Sequence, residues 1–207
     1  MSRLIIGDIH GCAEELSALV QQAGCEAVVL VGDLFTKGPD PVGVWEQIRE
    51  GGFRAVLGNH DQWVLNHLDD PQGECPQLDD LRNRAPEAID WIRHLPLWLD
   101  EDPIVVHAGL HPLKGLEGTS RKMALKLRRW PDDGEGNPFW YDAGWKGPRT
   151  VVFGHDARRG LVRREREGRP VAIGLDSGCV YGGRLSAWIP EEDRIVSVPA
   201  LRAYRPT

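Results

Sequence analysis

Five short segments carry most of the chain's capacity for chemistry: Gly7-Asp8-Ile9-His10-Gly11, Gly32-Asp33, Gly58-Asn59-His60-Asp61, His107-Ala108-Gly109 and Gly154-His155-Asp156. Each follows a short apolar run, and each sets glycine beside a carboxylate, an amide or an imidazole. A single Gly-Asp after a strand is ordinarily a turn. A single histidine there is ordinarily a satisfied core residue. Asp-x-His says more, because alternate residues of an extended chain point the same way. Recurrence of the pattern after five separate apolar runs is poorly explained by turn chemistry and points to a shared metal site.

The donors can be counted. Asp8 and Asp33 offer carboxylates, Asn59 an amide oxygen, and His10, His60, His107 and His155 imidazoles. One catalytic metal seldom takes more than three or four protein ligands. This many donors suits two ions ~3.5–4 Å apart with one carboxylate between them. Oxygen and nitrogen donors without thiolate admit Mn, Fe, Zn or Co.

The apolar runs must position these donors. Leu4–Ile6, Ala27–Val31, Arg54–Leu57, Ile104–Val106, Val151–Phe153, Val171–Leu175, Leu185–Ile189 and Ile195–Val198 read as strands. Between the first two, Leu16, Leu19, Val20 and Ala23 fall on one helical face that Gly24 would stop. Pro41 would open a second helix, and Asp61–Leu68, Pro86–Leu95 and Ser120–Arg129 read as helical. The first half is thus β-α-β-α-β, a parallel arrangement covered by helices. The last third has closely spaced strands joined by turns, which implies antiparallel hairpins. The expected fold is α/β: two mixed sheets packed as a sandwich flanked by helices, in one domain spanning 1–207. In such sheets ligands sit at the carboxyl ends of strands. Asp69–Asp80 and Trp130–Gly147 read as irregular, and a loop as long as the second is often functional.

Composition bounds the partners. With 207 residues, 41% hydrophobic and 27% charged, the chain is an ordinary globular one. A net charge of −6 argues against general nucleic-acid binding, which needs a basic face. It leaves room for a small phosphorylated substrate at a local cationic site. Cys12, Cys25, Cys75 and Cys179 form no C-x-x-C pair and are expected as free thiols. No membrane span, leader or cleavage site is evident, so a cytoplasmic protein is expected.

GDIHG, GDLFTKG and GNHD, followed by VHAG and GHD, resemble the calcineurin-like metallophosphoesterase superfamily, in its phosphoprotein-phosphatase-type branch. That branch carries Asp-Arg where this chain has Thr36-Lys37. The Lys-Gly-Pro variant, with FGHDARRGL and GLDSGCVYGGRL, is similar to the diadenosine-tetraphosphatase-like (ApaH-like) group. The resemblance implies a ββ-sandwich with two divalent metal ions, taken as Mn²⁺. Asp8 and His10 would bind the first, Asp33 would bridge, and Asn59, His107 and His155 would bind the second. His60 would donate a proton to the leaving group. Lys37 and Arg128, the latter within LKLRRW, would bind phosphate. The implied reaction is in-line attack of a metal-bridging hydroxide on phosphorus.

The Thr36-Lys37 departure bears on the substrate. The carboxylate missing here would pair with the general-acid histidine and raise its pKa. That help matters most for an alkoxide leaving group, whose conjugate acid has a pKa near water's, about 15.7. A phosphate leaving group, with a pKa of about 6, needs much less protonation. Phosphoanhydrides are therefore the expected substrates: diadenosine tetraphosphate, related nucleoside polyphosphates or inorganic polyphosphate. The rivals are a serine/threonine or tyrosine protein phosphatase and, as a non-enzyme, a metal-free phosphate-binding module. Asp61 is a conceivable stand-in partner for His60. Trp130, Trp140, Tyr141 and Trp145 read as packing within their loop rather than as a base-stacking platform. His67, His94 and His111 read as surface residues.

Overall fold

A computed structural model describes residues 2–69 and 74–205. The element order is β1 (Arg3–Ile6), α1 (Ala13–Ala23), β2 (Ala27–Leu30), α2 (Pro41–Gly51), β3 (Arg54–Ala55), α3 (Asn59–Asp69), α4 (Pro76–Arg84), α5 (Pro86–Arg93), β4 (Trp98–Leu99), β5 (Ile104–Val106), α6 (Arg121–Lys126), β6 (Val151–Phe153), β7 (Val162–Arg166), β8 (Arg169–Gly174), β9 (Arg184–Ile189) and β10 (Arg194–Pro199). The strands form two five-stranded sheets, ordered β10-β9-β1-β2-β3 and β4-β5-β6-β8-β7. β1, β2 and β3 are parallel, as are β5, β6 and β8, and the outer pairings are antiparallel. This is the α/β sandwich of two mixed sheets that the apolar runs imply.

Period-two alternation explains why the runs are apolar throughout. Leu4 and Ile6 join a core shared with the helices, while Ile5 between them faces the second sheet. Val105 and Val152 likewise pack between the sheets, whereas Ile104, Val106, Val151 and Phe153 face outward to another cluster. Ile5, Val29, Val31 and Val56 of one sheet thus meet Val105, Val152, Ile173 and Leu175 of the other. The helices are punctuated as their sequences suggest. Gly24 caps α1 with φ +63°, a conformation cheap only for glycine. Asp40 accepts the Gly43 amide at 2.8 Å, and Pro41 opens α2.

Three expectations need correcting. The Asp69–Asp80 loop lies partly outside the described residues, and from Pro76 it is the start of α4. Its Leu78 and Leu81 are buried in the helix-side core, an amphipathic pattern masked by the surrounding acids and proline. The expected helix Ser120–Arg129 stops at Lys126, and Leu127 is extended, so Arg128 and Arg129 leave the helix toward the site. Val162–Arg166 pairs antiparallel with β8, the kind of hairpin that closely spaced strands and turns imply, and Trp98–Leu99 is a further short strand against β5. His67 and His111 are buried, while His94 is exposed. His67 stacks on Trp63, and His111 Nδ1 accepts the Leu113 and Lys114 amides at 3.2 Å each.

The 130–147 segment packs as expected. Trp140 and Tyr141 are buried against Phe153, and Trp140 Nε1 donates to the Ala108 carbonyl at 3.1 Å. Ala108 directly follows His107, so this core fixes one strand exit of the site. Trp140→Ala is expected to cost ~3–5 kcal/mol in urea unfolding. A loss below ~1 kcal/mol would show that the segment is not integral to the core.

Candidate metal centre

The parallel strands of both sheets deliver their carboxyl ends to one place. The Val31 amide donates to Ile6 O at 3.0 Å, Gly154 N to His107 O at 2.8 Å and Leu175 N to Phe153 O at 2.8 Å. These bonds hold the exits of neighbouring strands in register. His155 N then donates to Asp8 Oδ1 at 3.1 Å and to Oδ2 at 3.2 Å, linking the two sheets through a site carboxylate. The approach requires glycine, since a Cβ at Gly154 would run into Asp8 Oδ1.

Asp61 sets the position of Asp33. It is fully buried, and it accepts from Asp33 N at 2.8 Å, Leu34 N at 2.9 Å and Gly58 N at 3.0 Å. The loops after β2 and β3 are thereby tied together. Asp33 Oδ1 in turn accepts the His60 amide at 2.8 Å. Asp61 is therefore no partner for the His60 ring, which corrects that possibility. Its oxygens are occupied by amides.

Asp33 belongs to two clusters of metal-ligating atoms, each within 4.8 Å: one with His10 and His60, the other with Asp8 and His107. Asn59 Oδ1 lies 2.9 Å from His107 Nε2 and 2.7 Å from His155 Nδ1. The six expected ligands Asp8, His10, Asp33, Asn59, His107 and His155 are thus brought together, and His60 stands beside them. Lys37 enters the same group: its Nζ is 3.1 Å from His10 Nε2. An ammonium can only donate, so Nε2 carries a lone pair and Nδ1–H faces Thr36 Oγ1 at 3.2 Å. Thr36 therefore contacts His10. Arg128 lines the same cavity, its Nε 3.8 Å from Asp156.

Two features test whether cations fit. His107 Nδ1 lies 2.9 Å from the Val31 carbonyl, which only accepts, so Nδ1 holds the proton and Nε2 is a lone pair. Burial first, and the Lys37 charge in addition, push His107 down to about 4, so the ring is neutral. With the amide oriented as in the structure, Nε2 and Asn59 Oδ1 are two acceptors 2.9 Å apart, an arrangement that a positive charge stabilises. At His10 the Lys37 ammonium already plays that part. Second, burial disfavours charge on both kinds of donor. It raises Asp8, helped by Asp176 and Asp33, and lifts Asp33 to about 7. It lowers His10, His60 and His155. A buried set of this composition becomes favourable when dications neutralise it, and the donors fit the divalent ions that the sequence resemblance implies.

Backbone strain gathers at the same residues. His10, Asp33, Lys37 and His155 have φ between 49° and 75°, a region that costs non-glycine residues about 1–3 kcal/mol each. Asp176 is a member that sequence reading missed. It is buried, lines the same cavity and accepts the Gly178 amide at 3.1 Å. Burial lifts it to about 6. The signal was present, since Asp176 directly follows the run Val171–Leu175, while Asp8 and Asp33 follow theirs after a single glycine.

The model of one family, calcineurin-like phosphoesterase, matches residues 1–169. The chain belongs to this family. Among relatives of the phosphoesterase, a protein of Janthinobacterium sp. (strain Marseille) named symmetrical bis(5'-nucleosyl)-tetraphosphatase is 30% identical over 90% of this chain and 92% of its own. One of the same name from Ralstonia nicotianae is 31% identical over 88% and 87%. A crystal structure provisionally named a diadenosine tetraphosphatase matches at TM-score 0.82 and 36% identity, covering 96% of this chain and 93% of that one. A metallophosphoesterase from Sphaerobacter thermophilus shares the fold at TM-score 0.63 and 18% identity, over 98% and 89%.

Two outcomes are expected. Asp61→Ala leaves three buried amides unpaired and costs at least ~3 kcal/mol in denaturant unfolding, whereas a near-neutral effect would show that Asp61 does not tie the loops. Elemental analysis after gel filtration in Mn²⁺ is expected to find about two ions per chain in the parent and fewer in Asp33→Ala. Equal metal content in both would remove Asp33 from the shared position.

Proposed function

We propose that the phosphoesterase is a dinuclear-metal phosphohydrolase that cleaves phosphoanhydrides, with dinucleoside polyphosphates such as diadenosine tetraphosphate as its substrates. The observation that carries the metal part is Asp33, common to two donor clusters. Asp8 and His10 would hold one ion, Asn59, His107 and His155 the other, and Asp33 both. Mn²⁺ is the ion to test first. Bound there, two dications would neutralise phosphoryl charge and lower the pKa of the attacking water. Residues 1–207 would act as one domain, since β9 and β10 complete the sheet that β1 begins.

The substrate class rests on His60. Its ring is mostly buried, and among the described residues no carboxylate hydrogen-bonds it. Burial first, then the nearby Lys37, His107 and Lys126, push its pKa down to about 3. Thr36 faces His10 and Asp61 faces backbone amides, so neither restores basicity. At neutral pH His60 is then a neutral N–H donor to the leaving oxygen, not a strong acid. That suffices for a phosphate leaving group of pKa about 6 and serves an alkoxide poorly. Lys37 and Arg128 would supply positive charge, Lys37 as a point charge and Arg128 through a planar fork that can grip two oxygens. The relatives named tetraphosphatases agree with this reading.

With Mn²⁺ added, diadenosine tetraphosphate is expected to yield two ADP, faster than a phosphoserine peptide is hydrolysed. Inorganic polyphosphate and p-nitrophenyl phosphate complete the panel. His60→Asn is expected to lower kcat for the anhydride by no more than ~10²-fold, the bottom of the usual acid–base range. Preference for the phosphopeptide would refute the anhydride reading.

A further inference from the structure

The cavity beside the metal centre has a volume of about 1300 Å³, far more than one phosphoryl group occupies. Lys37, Arg128, Arg129, Arg158 and Arg159 line it. Most of these cations are already engaged. Lys37 sits against His10. Arg128 faces Asp156. Arg129 lies 4.3 Å from the Phe139 ring centre and donates to the Asn137 carbonyl. Arg159 lies 4.7 Å from the same ring.

Arg158 differs. It is exposed, and among the described residues no ion pair, hydrogen bond or ring contact holds it. Its placement is nonetheless defined. The Arg159 and Gly160 amides donate to Asp156 O at 2.9 and 3.3 Å, closing a turn directly after His155. Both arginines of this turn line the cavity, Arg159 packed onto Phe139 and Arg158 without such a contact among the described residues. The acids of the outer cavity do not neutralise it. Asp156 faces Arg128, Asp133 accepts the Arg128 and Arg129 amides, and Glu135 forms no ion pair with Arg158. A guanidinium held three residues from a candidate metal ligand, with room beside it and no partner, suits an oxyanion arriving with the substrate.

We propose that Arg158 binds the phosphates beyond the scissile bond, so that the site distinguishes a polyphosphate chain from a simple phosphate monoester. This rests on the phosphoanhydride reading above. A monoester offers no further phosphate to this position, whereas a dinucleoside tetraphosphate offers anionic phosphates on both sides of the cleaved bond. Arg158 makes no contact with the reacting atoms, so its effect falls on binding.

The test compares the Mn²⁺-loaded parent with Arg158→Ala and Arg158→Lys, on diadenosine tetraphosphate and on p-nitrophenyl phosphate. Loss of one charged phosphate contact is expected to raise KM for the tetraphosphate about tenfold with little change in kcat. The ratio of kcat/KM between the two substrates should fall by a similar factor, and lysine should restore part of it. Equilibrium binding of ADP should weaken in parallel in Arg158→Ala. An unchanged substrate ratio, or equal losses on both substrates, would overturn the proposal. If the parent itself cleaves the monoester but not the tetraphosphate, the anhydride reading has failed instead.

Discussion

A buried carboxylate occupied by backbone amides organises the site. Asp61 accepts three backbone amides, two from the loop after β2 and one from the loop before α3. Two strand exits, each carrying a candidate ligand, thereby become one rigid unit. Asp33 is held between the two donor clusters as a consequence, and its oxygen takes the next amide in line. Asp8 does the same work across the sandwich by accepting the His155 amide. The candidate ligands therefore also bind parts of the scaffold together, and the left-handed backbone at His10, Asp33 and His155 is sustained by that bonding.

Such an assembly of protein groups is electrostatically unbalanced by itself. Asp8, Asp33, Asp61 and Asp176 are all buried with their pKa values raised. His10, His60, His107 and His155 are all pushed the other way. The polypeptide favours neutral donors, while function calls for ionised carboxylates beside free imidazole lone pairs. Dications reconcile the two, and this links metal binding to the order of the site.

The same scarcity of charge shapes the chemistry. Burial, Lys37, His107 and Lys126 all disfavour charge on the His60 ring, and Asp33 beside it takes the His60 amide. An imidazole in that setting cannot give much help to a basic leaving group. The outer cavity is different, because its arginines lie on the segment after α6 and on the turn after His155. Strong charge is thus concentrated where a long anion would lie. At the cleaved bond itself, the work would rest on the metals.

Much of this was legible in the order of residues. Strands buried on both faces read as continuous apolar runs, and the donors stand within a few residues of their ends. Fold class and the set of candidate donors, His60 among them, are therefore legible in local pattern, while the division into ligands and proton donor is what the family resemblance implies. Asp176 obeys a similar rule, standing at the exit of the run Val171–Leu175. What the sequence could not decide depends on contacts between distant segments. That Asp61 holds amides rather than His60 turns on β2 and β3 lying side by side. Which of His10 and His60 meets Thr36 depends on the path of the loop after β2. Which arginines remain available depends on where Phe139 and Asp156 lie once both sheets are packed. Sequence assigns the chemical groups, while the partner each one takes depends on long-range packing that no local pattern encodes.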